Sequence, residues 1–515
     1  MSYARIFSTA LYGIDAYKVT VEVHMTNSEQ PTMTVVGLPE ATVRESRERV
    51  RSAILNSGFF YSNRRITINL APADIRKEGA ALDLPVAVGL LASSNLIPAG
   101  SFLDRIALIG ELGLDGSIRA VTGALPLTIG ARTAGFEAIV VPADNADEAA
   151  ITQGIAVYPM STLKEVAAFL KNGGDGIQPH RVDTRALFDR HSVYADDMHD
   201  VKGQAQAKRA LEVACAGGHN ILMIGPPGSG KTMLAKRVPS ILPAMTLEES
   251  IETTKIHSIA GQLGPRRPLI ATRPFRAPHH TTSNVALVGG GAFPRPGEVS
   301  LSHNGVLFLD ELPEFNRQVL EVLRQPLEDR YVNVSRASLS VSFPASFILV
   351  GAMNPCPCGF LGHPKKECKC RPDMITRYVG KISGPLMDRI DLHIEVPPVE
   401  PGELKLQKSG ESSAAIRARV DAARQVQRRR FSRADGITCN AQMTPALMRE
   451  FCTLTSEAET ILQTAIERLG YSARAYDRIK KVARTIADLD GAEIIQPHHI
   501  AEAVNYRTLD RTLWL

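Results

Sequence analysis

The sequence predicts an α/β protein: a sheet core covered by helices, followed by an all-helical segment and preceded by a smaller α+β domain. Three observations carry this. A short apolar run at 220–224 leads into a glycine-rich turn and then a helical pattern, in strand–loop–helix order. Further apolar runs at 306–309, 347–352 and 392–396 have the length and continuity of strands buried on both faces. Beyond residue 410 the periodicity is helical at 414–430, 445–451, 456–469, 475–489 and 497–504.

Length and composition set the frame for these elements. A chain of 515 residues has room for about three domains. Apolar residues make up 44% and charged residues 22%, the proportions of a folded globular protein. The longest apolar run, 84–92, falls far short of the ~20 residues of a membrane helix. Residues 1–13 lack the tripartite pattern of a signal peptide, so a cytoplasmic protein without a membrane partner is expected. A formal charge of +5 permits nucleic-acid binding without requiring it.

The first domain, 1–170, mixes strand-like runs at 66–70 and 106–110 with helical ones at 41–57 and 84–93. Residues 171–199 begin glycine-rich and continue polar with little periodicity, which reads as a linker. The sheet core occupies 200–400 and the helical segment 401–515, with no internal repeat.

Inside the core, Gly225-Pro226-Pro227-Gly228-Ser229-Gly230-Lys231-Thr232 matches G-x-x-x-x-G-K-[ST] throughout. Glycines let backbone N–H groups curl round phosphates, Lys231 offers charge to the β and γ oxygens, and Thr232 offers a hydroxyl to Mg²⁺. The expected ligands are therefore ATP and Mg²⁺. The run 306–309 ends in Asp310 and Glu311, about 80 residues further on. Such a strand delivers two carboxylates to its C-terminal end, Asp310 for Mg²⁺ and Glu311 to orient and polarise an attacking water. The next strand ends in Met353-Asn354-Pro355, where Asn354 can either bond the attacking water or γ-phosphate or cap a turn before proline.

A nucleotide-binding α/β core followed by a small helical lid resembles the layout of AAA+ ATPases. In ring ATPases of that kind, an arginine at the place of Arg389 reaches into the neighbouring subunit's site. Its alternative is pairing with Asp388 or Asp391. Arg474, at the start of a lid helix, would contact the γ-phosphate from above or lie on a solvated face. More narrowly, 200–204, 273–281, 305–315, 354–359 and 501–507 are similar to the ComM/YifB group of magnesium-chelatase-like AAA+ proteins. That resemblance implies an ATP-hydrolysing homo-hexamer acting on single-stranded or branched DNA without sequence preference. It further implies a helicase promoting branch migration while incoming DNA is integrated in natural transformation. A chelatase-type or protein-remodelling ring that never grips DNA is the alternative.

The first domain is similar to the Lon-protease C-terminal, ribosomal-S5-like fold, through 77–81, 110–112 and 120–125. Lon needs a serine nucleophile and a lysine base. Here the serine's place falls at or beside Ala81 and the lysine's near Pro126, so proteolysis is not expected.

Two elements offer themselves to DNA: the glycine-rich stretch 289–297, presenting Phe293 and Arg295, and a hairpin at 331–342 with Arg336 near its tip. Ordinary surface is the alternative for each, as it is for the arginine run 417–433. Seven cysteines are present, four of them within 356–370. In a cytosolic chain that suggests a metal site or packing rather than disulfides. Cys356, Cys358, Cys368 and Cys370 can enclose a structural Zn²⁺, with His363 able to replace one thiolate. The C-x-C spacing is tight for zinc, and four reduced thiols without metal are the alternative.

Overall fold

The computed structural model describes residues 3–27, 32–37, 41–62, 64–75, 77, 79–98, 100, 102–264, 267–291, 294–336, 339–398, 410–469 and 472–509. They form two compact units. The first comprises Met1–His191 with Ser250–Ala271, and the second Ser192–Glu249 with Thr272–Leu515.

The first unit is built on a seven-stranded mixed sheet. Its strands run in spatial order Met33–Val36, Arg65–Ala71, Asp15–Thr26, Tyr3–Tyr12, Ile106–Leu108, Ala138–Pro142 and Ala156–Met160. Alternation fixes which face is inward: Val19, Val21, Val23 and Met25 are buried on one strand, and Ile66, Ile68 and Leu70 on its neighbour. The helix Asp83–Ser93 is buried along its entire length, which explains the apolar run 84–92 within it. Ser250–Ala271 completes this unit. The Ser258 hydroxyl donates to the buried Glu148 carboxylate, which also accepts from the Leu125 N–H. Lys255 pairs with Asp15, and Leu269 packs with Leu125 and Ile151. The stretch expected as a linker carries a helix, Thr184–His191, and His180 bridges to Val157.

The second unit centres on a five-stranded, all-parallel sheet. Its order is Phe275–Arg276, Val306–Leu309, Ile348–Met353, Ile221–Ile224, Leu392–Glu395. Every residue of Val306–Leu309, Ile348–Met353 and Ile221–Ile224 is buried, as continuous apolar runs require in a sheet covered on both sides. The helices Ala205–Gly217 and Lys231–Ile241 flank the Ile221–Ile224 strand in sequence, and both contribute to one hydrophobic core. The C-terminal helices are Ser413–Arg430, Pro445–Phe451, Ser456–Leu469, Ala473–Leu489 and Pro497–Asn505. Much of the arginine run on Ser413–Arg430 is consumed internally: Arg419 pairs with Glu212 and Glu411, Arg424 donates to the Cys215 carbonyl, and Arg430 pairs with Asp488.

Among the described residues no helix is long and apolar enough to cross a membrane.

Candidate active site

The crevice at the C-terminal ends of the parallel strands is where an open α/β sheet places its ligand. Residues 225–230 leave the Ile221–Ile224 strand there and turn into the Lys231–Ile241 helix. Gly228 and Gly230 take φ of 77° and 91°, a left-handed backbone that glycine adopts without strain. A Cβ on Gly225 would stand 2.2 Å from the Val396 carbonyl oxygen, so only glycine lets the chain pass. This cradle and the helix N-terminus beyond it fit a polyphosphate.

Four side chains converge on the cradle, Lys231 and Thr232 from the first turn of the helix and Asp310 and Asn354 from the ends of two strands. The Lys231 ammonium donates to the Gly225 and Pro226 carbonyls at 2.7 and 3.0 Å and to Asn354 Oδ1 at 3.3 Å. Burial pushes its pKa below the ordinary lysine value, against the opposing pull of Asp310 and Glu311. The Thr232 hydroxyl donates to Asp310 Oδ2 at 2.7 Å, so the two groups suited to Mg²⁺ already face one another. Glu311 follows with φ of 51°, unusual for a residue bearing a Cβ. Its Oε2 lies 3.7 Å from His280 Nδ1, and the His280 ring stands edge-on to Phe315.

Arg389 and Arg474 lie elsewhere. Asn220, which precedes the Ile221–Ile224 strand, donates to the Arg389 carbonyl at 2.8 Å. The cradle follows the opposite end of that strand, whose four residues span roughly 13 Å. Neither expected partner holds Arg389: its guanidinium pairs with Glu328 and donates to the Pro385 carbonyl, because Asp391 is committed to Arg478 and His219. Arg474 pairs with Asp388, the residue next to Arg389, at 3.0 Å. In this structure Arg474 is thus engaged with Asp388 and largely exposed. Both arginines line a cavity of about 710 Å³ in which eight Arg or Lys face four Asp or Glu, a surplus that suits an anionic partner.

The four cysteines come together, their sulfurs all within 4.8 Å of one another. His363 does not join them; its Nδ1 accepts instead from the backbone N–H groups of Lys365 and Lys366. Of the residues expected to meet DNA, Phe293 lies outside the described residues. Arg295 is exposed on a two-residue strand, Arg295–Pro296, paired antiparallel with Gly289–Gly290. Tyr331–Arg336 and Leu339–Pro344 form the expected second hairpin, with Arg336 closing the first strand.

The sequence motifs assign no role to two supporting residues, Gln204 and Glu328. Gln204, at φ 56°, bonds the Ser229 and Pro397 carbonyls and braces the cradle from outside. Its place just before a helix was the available signal. Nothing local announces Glu328, 61 residues from the arginine it holds.

Fold and site together define a magnesium-chelatase-type AAA+ P-loop protein. Residues 197–404 match the family model for magnesium chelatase, subunit ChlI. Residues 21–145 and 410–507 match the models for subunit ChlI of Mg-chelatase and the ChlI C-terminal region. The whole chain is 46% identical to the protein YifB of Escherichia coli (strain K12), covering 98% of it. It is 44% identical to competence protein ComM of Haemophilus influenzae, again over the whole chain and 99% of that protein. A weaker likeness, 28% identity over 31% of the chain, links it to 32% of Lon protease 2 of Bacillus subtilis. The chain belongs to the ComM/YifB family.

Proposed function

We propose that this protein is an ATP-hydrolysing motor that works on DNA as a homo-hexameric ring in the cytoplasm. In this reading it is a helicase promoting branch migration while incoming DNA is integrated. The observation that carries the ring is the separation of Arg389 and Arg474 from the cradle of their own chain by the length of a sheet strand. Two arginines on a cationic cavity, out of reach of their own nucleotide site, are placed to serve a neighbour's. The C-terminal helices are then the lid, and the first unit is an S5-like domain that has lost the protease residues.

The residues of 225–230 bind and orient the phosphates through backbone N–H groups, with Lys231 against the β and γ oxygens. Thr232 and Asp310 would hold Mg²⁺, which when bound neutralises charge on the phosphate oxygens. Asn354 and Glu311 orient the water that attacks, and Glu311 draws on its proton. His280 fixes the Glu311 carboxylate. Arg389 and Arg474 of the adjoining copy stabilise the charge that develops on transfer. The four cysteines would hold a structural Zn²⁺.

Action on DNA is supported by the competence name carried by a relative 44% identical over the full chain and by the exposed Arg295 hairpin. ATP turnover of the purified protein should rise with single-stranded or forked DNA and be accompanied by strand displacement. Turnover indifferent to DNA and no displacement would favour a chelatase-type or protein-remodelling ring instead.

A further inference from the structure

The cysteine cluster and the nucleotide cradle are built into one another. Cys356–Cys358, Cys356–Cys368 and Cys358–Cys368 sulfurs stand 3.4, 3.7 and 3.7 Å apart. Those separations are far longer than the ~2.05 Å of a disulfide bond. They are close to the roughly 3.8 Å edge of a tetrahedron whose centre is ~2.3 Å from each sulfur, the geometry of a zinc tetrathiolate. Cys370 closes the set, with all four sulfurs within 4.8 Å of one another, and Cys356 is fully buried. The two C-x-C pairs come from the two ends of a single loop, so one ion would tie its ends together.

That loop approaches the cradle at Gly359. Asn354 lies two residues before Cys356, and the turn closes through the Gly359 N–H donating to the Cys356 carbonyl at 2.9 Å. Gly359 takes φ of 82° and sits between Pro227 and Asn354. A Cβ there would fall 2.5 Å from Pro227 Cδ and 3.8 Å from Asn354 Cγ. The turn that carries two of the thiolates is thus wedged against both the phosphate loop and the residue that bonds Lys231. Tyr378 steadies the same point, its hydroxyl meeting the Asn354 backbone.

We propose that Cys356, Cys358, Cys368 and Cys370 bind one Zn²⁺ whose presence holds the 354–359 turn against Pro227, so that nucleotide affinity depends on the metal. This rests on the ATP-binding reading above. With the metal, Asn354 and the phosphate loop keep a fixed spacing. Without it, four thiols are free to separate and the wedge loosens.

The test uses the full-length protein. Zinc is measured per chain, and Co²⁺ is substituted to look for the ligand-field bands of a tetrahedral thiolate site. A zinc-selective chelator is applied and removed before Mg²⁺ and a fluorescent ATP analogue are added. One zinc per chain, cobalt bands, and affinity weakened about tenfold or more by chelation and restored by Zn²⁺ are the expected results. Cys368→Ser with Cys370→Ser should lose metal and affinity together. Gly359→Ala should keep its zinc yet bind the analogue more weakly, which separates the wedge from the ion. Should the cysteine variant fail to fold, reversible chelation of the wild type and Gly359→Ala still decide the matter. No bound metal and no cobalt bands would overturn the site. Metal bound, with affinity unchanged on its removal, would overturn the coupling. A zinc-loaded wild type that binds no nucleotide at all would overturn the ATP reading and the coupling with it, leaving the metal site standing on its cobalt bands.

Discussion

Glu311 and Lys231 belong to the same candidate site but would fail differently. Lys231→Ala removes the charge that bonds Asn354 and the phosphate-loop carbonyls, so nucleotide binding itself should be lost, as read by titration with a fluorescent analogue. Glu311→Gln keeps shape and hydrogen bonding but cannot take up a proton; binding should persist while turnover falls by about 10²- to 10⁴-fold. His280→Ala should lower kcat with little change in KM, because its ring contacts the Glu311 carboxylate and not the cradle. The convergence of Lys231, Thr232, Asp310 and Asn354 was legible in the sequence because Asp310 and Asn354 each follow a strand directly, and Lys231 and Thr232 open the helix that a glycine-rich turn joins to a third strand. The partners of Arg389 and Arg474 were not, since a guanidinium at the end of four bonds takes whichever carboxylate the tertiary fold brings near. That turned out to be Glu328 and Asp388.

Strands and long helices followed their apolar periods closely, as with Val306–Leu309 and Ser456–Leu469. Thr184–His191 is short and mostly polar, so its sequence carries no apolar period to read. Equally hidden was the membership of Ser250–Ala271 in the first unit, which depends on polar pairings such as Ser258–Glu148 and on Leu269 finding Leu125. One pairing ties the C-terminal helices to the sheet: Asp391, just before Leu392–Glu395, accepts from Arg478 on the helix Ala473–Leu489. Burial alone would raise the Asp391 carboxyl, yet Arg478, His219 and Lys481 hold it well below the ordinary carboxylate range. A depressed carboxylate stabilises the folded chain above its unfolded value of 3.8 and loses that contribution as pH falls through its own lower value. Asp391→Ala should cost about 3 kcal/mol in chemical denaturation at neutral pH, and the difference from wild type should shrink in strong acid.

At the scale of the molecule, the proposed site draws on groups at opposite ends of the strands of one sheet, and in that proposal function is a property of an assembly. ATP with Mg²⁺ should shift the protein from smaller species to a hexamer in light scattering. Arg389→Ala should reduce turnover about 10³-fold or more while leaving nucleotide affinity near wild type, since the arginine does not reach its own chain's cradle. The most direct measurement mixes two inactive proteins, Arg389→Ala and Glu311→Gln, and follows ATP hydrolysis against their ratio. Wherever an Arg389→Ala subunit's cradle faces a Glu311→Gln subunit's arginine, the composite site is wild type, so activity should return and peak at intermediate mixtures. A mixture that stays at the sum of its two inactive parts across all ratios, though the subunits co-assemble, would contradict a site shared between neighbours.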